Sequence, residues 1–397
     1  MTVCLNVDLG LKEARKLLQE HSRTEFACVE TKSHSAPQLQ LKSIFEGLSQ
    51  LTHVKQLFVK KLVNLFAQSV ANVLNNLQRL EFLYLQNVKL SGEEDEFQAL
   101  ADAIEQHPTL RKCRLYMCRP SIRANATFDP IITALSNART LEEVTMIHCT
   151  ISTEEQDNWE GKCLRDLCRS KKLKILTLTC GPELKDEHIE MMAEALQTNK
   201  TLESVSIRAN KLGASAGMAM SRVLKTNRTL ERLRVQLSSD EFAGPIVEAL
   251  HDNKNLQKLG LILPNDVNQK VREQLTLEMT QMLRKSNYNL KDVDLVGWKA
   301  NNRIRFYLKL NQTGRRSLLA EGATRDQWAK TLVSHKDDVS IIYYFLKRNP
   351  QLCLTILNRM ISLTNKSSSS LESRKRVAID MMNQTDGSFA TKRTKLA

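Results

Sequence analysis

Apolar residues recur along the chain at positions i, i+3 and i+5, in a pattern that returns about every 29 residues. Within each occurrence, positions i+3 and i+5 alternate with i+2, i+4 and i+6, as at Leu83 and Leu85, and this period of two predicts a β-strand with one buried face. The nine starts are Val54, Leu80, Leu110, Leu141, Leu173, Leu202, Leu230, Leu256 and Leu290. The sequence therefore predicts nine similar strands in succession.

A second apolar pattern precedes the strands. Six residues before eight of the nine starts lies an aliphatic residue, and four residues before it lies another apolar one, as with Leu224 and Met220 before Leu230. Apolar residues at i and i+4 share one face of a helix. The pattern therefore predicts an amphipathic helix before each strand, and only the last repeat departs from it, because Leu283 lies seven residues before Leu290.

A strand and helix of this size can bury their apolar faces only by stacking on neighbouring units, so the repetition predicts a solenoid. We expect an α/β solenoid of ten mostly parallel strands, counting a weaker first strand that starts at Thr24. The strands would line the concave side of a horseshoe and the helices its convex side. The solenoid would cover residues 1–300, with regular repeats from about residue 44 and a degenerate first repeat over about 10–43.

The repeat over residues 201–227 resembles the leucine-rich repeats of the ribonuclease-inhibitor type, and the resemblance extends over about residues 24–300. In that family, an Asn or Cys eight residues after the first leucine bonds the loop backbone between repeats. The resemblance implies this structural role for Cys118, Cys149 and Asn210. The sequence departs from the family pattern at Val88, Ser238, Pro264 and Trp298.

Residues 301–361 predict a helical capping segment at the carboxyl end. Apolar residues at helical spacing would cover the exposed end of the last repeat, which every open repeat array must protect. These residues are Trp328, Leu332, Val333, Ile341, Ile342, Phe345 and Leu346.

Residues 362–397 are polar, serine-rich and basic, and we expect a disordered tail. Two basic clusters in this tail are typical both of a nuclear-import signal and of a solvated terminus. Their members are Arg374, Lys375, Arg376, Lys392, Arg393 and Lys395.

Composition narrows the class of protein. The chain has 58 basic and 44 acidic residues, a net charge of +14, of which the tail supplies +4. No apolar run is long enough to cross a bilayer or to form a secretion signal, and the odd number of nine cysteines is scattered along the chain. We expect an intracellular protein with reduced thiols, in the cytoplasm and, if the tail is an import signal, in the nucleus, with no membrane attachment.

Three motifs suggest chemistry but have structural readings. Residues 213–217, GASAG, match the G-x-S-x-G elbow of hydrolases, yet Met220 and Leu224 keep the repeat offsets, so Ser215 is interpreted as part of a turn. The pairs Cys113 with Cys118 and Cys163 with Cys168 lack the second half of a zinc site. We therefore expect no catalytic residue, no cofactor, no metal and no small-molecule substrate.

What remains is the concave surface, given by positions i+2, i+4 and i+6 of each strand. Exposed aromatic and arginine side chains are typical of protein-binding sites, so a protein partner is expected, and an acidic patch on it would suit the basic residues. The predicted binding residues are Phe58, Phe82, Tyr84, Tyr116, Arg208, Arg232, Arg234, Lys258, Asp292 and Asp294.

Two alternatives stay open. The same basic residues could meet the phosphates of a nucleic acid, although the aromatic residues lie several strands away from them. Some leucine-rich-repeat proteins of this type activate small GTPases, which makes GTPase regulation a third hypothesis, but no motif residue for that activity is identifiable in this chain.

Overall fold

The computed structural model describes residues 2–6, 16–17, 20, 24–31, 38–120, 127–150, 161–179, 184–209, 213–236, 243–262, 268–296, 301–319 and 323–349. Two compact units divide the chain, Met1–Arg316 and Ser317–Ala397. The first contains all the described strands.

Fourteen strands are present in the described ranges, all paired in parallel. Eleven form one open sheet in chain order: β1 (Thr2–Asn6), β2 (Phe26–Glu30), β3 (Gln56–Lys60), β5 (Phe82–Gln86), β7 (Lys112–Tyr116), β9 (Glu143–Ile147), β10 (Ile175–Thr179), β11 (Ser204–Arg208), β12 (Arg232–Gln236), β13 (Lys258–Ile262) and β14 (Asp292–Val296). A second sheet joins β4 (Leu65–Phe66), β6 (Lys89–Ser91) and β8 (Arg119–Pro120).

Helices alternate with the strands of the main sheet from β2 onwards. Those of the first unit are α1 (Gln38–Leu48), α2 (Ala67–Asn76), α3 (Glu94–Glu105), α4 (Asp129–Asn137), α5 (Lys162–Arg169), α6 (Asp186–Thr198), α7 (Ala214–Thr226), α8 (Ala243–Ala249), α9 (Gln269–Lys285) and α10 (Asn302–Gln312). The short helix α11 (Arg315–Leu319) follows, and α12 (Arg325–Ser334) and α13 (Val339–Arg348) lie in the second unit.

One hydrophobic core runs through the first unit. From β2 onwards, the second and fourth residues of the main strands point into it, as Leu83 and Leu85 do, and the helices contribute the predicted pairs, such as Met220 and Leu224. The α/β class with a long parallel sheet is therefore confirmed. Within the described ranges, the main sheet has eleven strands and not ten, because β1 precedes the predicted first strand. Leu5 of β1 occupies the buried position i+5, but position i of this repeat would precede residue 1, so the three-residue pattern is incomplete there.

The turn after each early strand has one repeated conformation. Lys61, Asn87, Met117 and His148 all have φ between 52° and 57°, in the left-handed region. The residue that follows each of them is buried: Leu62, Val88, Cys118 and Cys149. The turns after β3, β5 and β7 lead from the main sheet into strands β4, β6 and β8 of the second sheet. Val88, which departs from the family pattern, therefore fills the same buried position with an apolar side chain.

The second unit has a small core of its own. Thr324 caps α12, because its backbone N–H donates to Gln327 Oε1 at 2.9 Å while its hydroxyl accepts from Gln327 N at 3.3 Å. The rings of Trp328 and Phe345 meet edge to face at 5.5 Å between centroids and join α12 to α13.

Candidate interaction surface on the sheet face

The solvent-facing side of the main sheet, called the sheet face here, consists of the first, third and fifth residues of its strands. Strict pairing register aligns these residues in rows from β1 to β14, so that Phe58 of β3 lies opposite Tyr84 of β5, for example. All ten predicted binding residues belong to these rows. The structure therefore determines which of them are neighbours.

Four aromatic rings, from Phe26, Phe58, Phe82 and Tyr84, form a contiguous cluster on β2, β3 and β5, called the aromatic cluster here. Phe58 lies at its centre. Its ring stacks on Phe26 at 4.6 Å and meets Phe82 and Tyr84 nearly edge-on at 5.3 and 5.5 Å between centroids. These geometries stabilise aromatic pairs beyond their burial. All four rings are half-buried and keep one side towards solvent.

Two cations flank the aromatic cluster. Lys60 Nζ lies 5.8 Å from the centroid of Phe58, and the Arg114 guanidinium lies 5.5 Å from that of Phe82. Arg114 is also bound to the buried carboxylate of Glu143, at 2.6 Å from its Nη2 and 3.0 Å from its Nε. Glu143 therefore orients Arg114 beside the rings. Lys112 Nζ lies 3.5 Å from the same carboxylate.

Tyr116 does not join the aromatic cluster. Its ring contacts His148 of the neighbouring turn, edge-on at 6.3 Å. Burial, with a smaller contribution from Tyr116, raises the pKa of Tyr84 above its usual value, so the Tyr84 hydroxyl remains a hydrogen-bond donor at neutral pH.

Two ion pairs join β12, β13 and β14 across the sheet face. Arg234 Nη2 lies 3.0 Å from Asp294 Oδ2, and Lys258 Nζ lies 3.6 Å from Asp292 Oδ2. These four residues, called the ion-paired zone here, carry no net charge. Arg208 Nε donates to Gln236 Oε1 at 3.2 Å. Among the described residues, no carboxylate pairs with Arg208 or with Arg232.

Gly260 permits the ion pair between Arg234 and Asp294. Arg234 and Asp294 lie on strands that are separated by β13, with Gly260 directly between them in register. A Cβ at Gly260 would lie 2.6 Å from Cγ of Arg234. Because Gly260 has no side chain, the side chain of Arg234 can cross β13 to reach Asp294.

Sequence reasoning missed several residues of this surface. Phe26 lies at position i+2 of the weak repeat that starts at Thr24, so it fits the same pattern of surface positions as Phe58. Arg114 and Glu143 were also in the rows, but their pairing depends on the register. Gly260 has no side chain and gave no signal.

Of the three residues predicted to bond the loops between repeats, the structure describes Cys118 and Cys149. Cys118 Sγ lies 3.4 Å from the carbonyl oxygen of Leu85, and Cys149 Sγ lies 3.4 Å from that of Leu115, each in the preceding repeat. Asn210 lies outside the described residues. So do the tail clusters, with Arg374, Lys375, Arg376, Lys392, Arg393 and Lys395.

The residues that suggested chemistry have structural partners. The Ser215 hydroxyl donates to Asp186 Oδ2 at 2.8 Å, and the same carboxylate accepts from the N–H of Gly213, so Asp186 ties the start of α7 to the preceding repeat. Burial raises the pKa of Cys113 to about 12 and that of Cys168 well above its usual range, which keeps these thiols protonated. Within the described ranges, no cluster of three potential metal ligands occurs.

Comparison with known proteins finds solved structures that are similar over part of the chain. No known family profile matches the chain. A structure of actin-binding site 2 of leiomodin-1 is similar at 16% identity and a TM-score of 0.32, over 42% of this chain and 94% of that one. The tropomodulin C-terminal domain of Caenorhabditis elegans is similar at 15% identity and a TM-score of 0.34, over 40% of this chain and 96% of that one. Both scores are too low to support an argument about function. None of the helices in the described ranges is long and apolar enough to span a bilayer.

Proposed function

We propose that this chain is a non-enzymatic interaction module of the ribonuclease-inhibitor-like leucine-rich-repeat type, and that its sheet face binds a folded intracellular protein. The aromatic cluster carries the proposal. Four rings held together on the solvent side of three adjacent strands form a contiguous apolar surface, and such surfaces rimmed by polar residues mark protein-binding sites.

The size of the face fits one protein partner. Eleven strands about 4.8 Å apart span roughly 48 Å, and five residues add roughly 13 Å along each strand, so the flat face covers roughly 600 Å². A standard protein–protein interface buries about 800 Å² on each side. A partner that forms an interface of this area would therefore contact both the aromatic cluster and the ion-paired zone.

The charge pattern indicates the chemistry of the partner. The ion-paired zone is neutral, so Arg208 and Arg232 supply the net positive charge of the later strands. This favours an acidic protein surface with two or three carboxylates over a nucleic acid, whose phosphates require a denser row of cations. An apolar side chain of the partner would pack on Phe58.

The experiment is an affinity purification from a lysate of the native cells, with and without nuclease. We compare the wild type with Phe58→Ala/Tyr84→Ala on the sheet face. The control is Met218→Ala/Leu277→Ala, which truncates two exposed apolar side chains on α7 and α9. We expect one protein to be recovered despite nuclease, retained by the control, and reduced at least tenfold by the double variant, as for the loss of a binding hot spot of about 2 kcal/mol.

Equal recovery by both variants would place the contact elsewhere on the chain. Recovery that disappears with nuclease would replace the protein partner with a nucleic acid. Circular dichroism of each variant shows whether the fold is retained.

A further inference from the structure

A row of five basic residues lies at the amino-terminal edge of the main sheet, outside the sheet face. In five consecutive repeats, the second residue before the strand-starting leucine is Lys or Arg. These residues, called the basic row here, are Arg139, Lys171, Lys200, Arg228 and Lys254, and all five are exposed. The corresponding residues of earlier repeats, Thr52, Gln78 and Pro108, are uncharged.

Asparagine side chains bind the backbone beneath three residues of the basic row. Lys200, Arg228 and Lys254 each follow a buried asparagine, and its side chain closes the turn. Asn227 Oδ1, for example, accepts from the N–H groups of Thr229 and Leu230 at 2.9 and 2.8 Å, and its Nδ2 donates to the Asn199 carbonyl at 3.1 Å. The row is therefore displayed at the spacing of the strands, about 4.8 Å, and extends over roughly 19 Å.

The charges of the basic row are not neutralised locally. Within the described part of the chain, no carboxylate pairs with Arg139, Lys171 or Lys200. Lys254 Nζ donates to the carbonyls of His251 and Ser286 at 2.9 and 3.1 Å, which positions the ammonium group without removing its charge. Strands about 4.8 Å apart bring neighbouring residues of the row within the Debye length of about 8 Å, so their potentials add.

Two shallow grooves adjoin the basic row. Six of the ten residues that line the first are basic and two are acidic, and its volume is about 540 Å³. The second has four basic residues and one acidic residue among nine, with a volume of about 290 Å³. Neither lining contains an aromatic or aliphatic side chain. Most of the basic residues in the two linings are lysines. One ion pair, Lys174 with Glu142 at 3.1 Å, reduces the net charge of the first groove.

This composition distinguishes between ligands. Protein interfaces are depleted in lysine and contain apolar anchors, whereas protein–nucleic-acid interfaces are polar and strongly positive. Proteins that bind single strands stack bases on aromatic rings, and the grooves have none. A duplex presents already stacked bases and a continuous row of phosphates, one charge per about 1.7 Å of helix axis, which is dense enough to meet every cation of the row.

We propose that the basic row and its two grooves bind the phosphate backbone of a double-stranded nucleic acid without reading its sequence. The site is separate from the sheet face, and the proposal does not depend on the protein partner. It concerns phosphates only, so RNA and DNA duplexes are both candidates.

The test measures fluorescence anisotropy of labelled 20-base-pair DNA and RNA duplexes with the full chain over a series of salt concentrations. The variant is Arg139→Glu/Lys171→Glu/Lys200→Glu. The control, Lys42→Glu/Arg222→Glu/Lys270→Glu, changes the charge equally at exposed residues of α1, α7 and α9. Both keep the basic tail, so their difference isolates the basic row.

We expect the row variant to weaken duplex binding at least tenfold relative to the control, and to reduce the slope of log affinity against log salt by about 3, one for each lost phosphate contact. Equal weakening by the two variants would overturn the proposal, because diffuse charge attraction would explain it. Tighter binding of a single strand, or displacement of the duplex by a poly-glutamate peptide at equal charge, would overturn the assignment to a duplex. Melting curves of both variants verify that each is folded.

Discussion

In the early repeats, the N–H groups of Val54 and Leu80 donate to backbone carbonyls three residues before them, those of Leu51 and Leu77, at 3.2 and 2.9 Å. In the later repeats, the N–H groups of the corresponding leucines donate to an asparagine side chain. Asn199, Asn227, Asn253 and Asn287 accept these bonds at 2.7–2.9 Å. Both solutions satisfy the same buried N–H group at the start of the strand.

The difference lies in what holds neighbouring repeats together. Leu51 and Leu77 contribute only apolar packing from their side chains, whereas each asparagine also donates to carbonyls of the preceding repeat, as Asn199 Nδ2 does to Cys168 and Ser170 at 2.8 and 3.0 Å. Between the two regions, His107 occupies the position of the asparagine and makes equivalent hydrogen bonds. One backbone turn therefore accepts either an apolar side chain or a fully bonded polar one.

The largest effect should be the same in both regions, because they share the core. Leu80→Asp in the early region and Leu230→Asp in the later one each place a carboxylate at a fully buried position, which should cost about 4 kcal/mol or more of unfolding free energy. Thermal unfolding followed by circular dichroism measures it. Lys200→Asp, in an exposed turn, is the control, and wild-type stability of either buried variant would contradict the register.

A smaller loss of unfolding free energy should occur only in the later repeats, where an asparagine closes the turn. Asn227→Leu gives a later turn the early side chain and leaves the N–H groups of Thr229 and Leu230 without their acceptor, which should destabilise the protein by about 2–4 kcal/mol. Asn255→Leu, at a half-buried residue of the next turn, is the control. If Asn227→Leu unfolds like the wild type, the two kinds of turn are interchangeable and the comparison fails.

His107 should make the boundary between the regions sensitive to pH. Its Nδ1 accepts from the N–H groups of Thr109 and Leu110 at 3.3 and 3.1 Å, so Nε2 carries the proton that faces the Leu77 carbonyl at 3.2 Å. Burial lowers the pKa of His107 below its usual 6.5. The unfolded chain therefore binds the proton more readily, and this contribution to stability is present above pH 6.5 and decreases as the pH falls below it.

The variant His107→Asn keeps both kinds of hydrogen bond and removes the titration. We expect its stability at pH 7.5 to lie within about 1 kcal/mol of the wild type, as for a substitution that preserves its bonds. Between pH 7.5 and 5, the melting temperature of the wild type should decrease more than that of His107→Asn. Parallel losses in the two proteins would show that His107 does not contribute to the acid sensitivity.

The smallest effect concerns the sheet face. A double-mutant cycle of Arg234→Ala and Asp294→Ala should give a coupling of about 0.5 kcal/mol, because both side chains are substantially exposed. In a Gly260→Ala background the new Cβ obstructs Arg234, and the coupling should fall towards zero. An unchanged coupling would mean that Arg234 reaches Asp294 by another path.

The pattern of leucines was sufficient to predict the parallel strands, the helices between them and the rows of the sheet face. It was insufficient for side-chain pairing. Phe58, Phe82 and Tyr84 were predicted as surface residues, but their contact depends on a register that only stacked repeats define. The basic row was visible in the sequence at a constant offset from Leu141 to Leu256, yet its meaning depends on neighbouring turns being adjacent in space.

The sequence by itself determined which residues are buried, since period-two strands and amphipathic helices have one low-energy way to hide their apolar faces. Only the tertiary structure decided which polar residues meet. Arg234 and Asp294 are 60 positions apart, and they pair because parallel stacking brings successive repeats to one strand spacing and Gly260 leaves room between them. Hydrophobic burial is encoded locally, whereas the pairing of surface charges depends on the distances that stacking imposes.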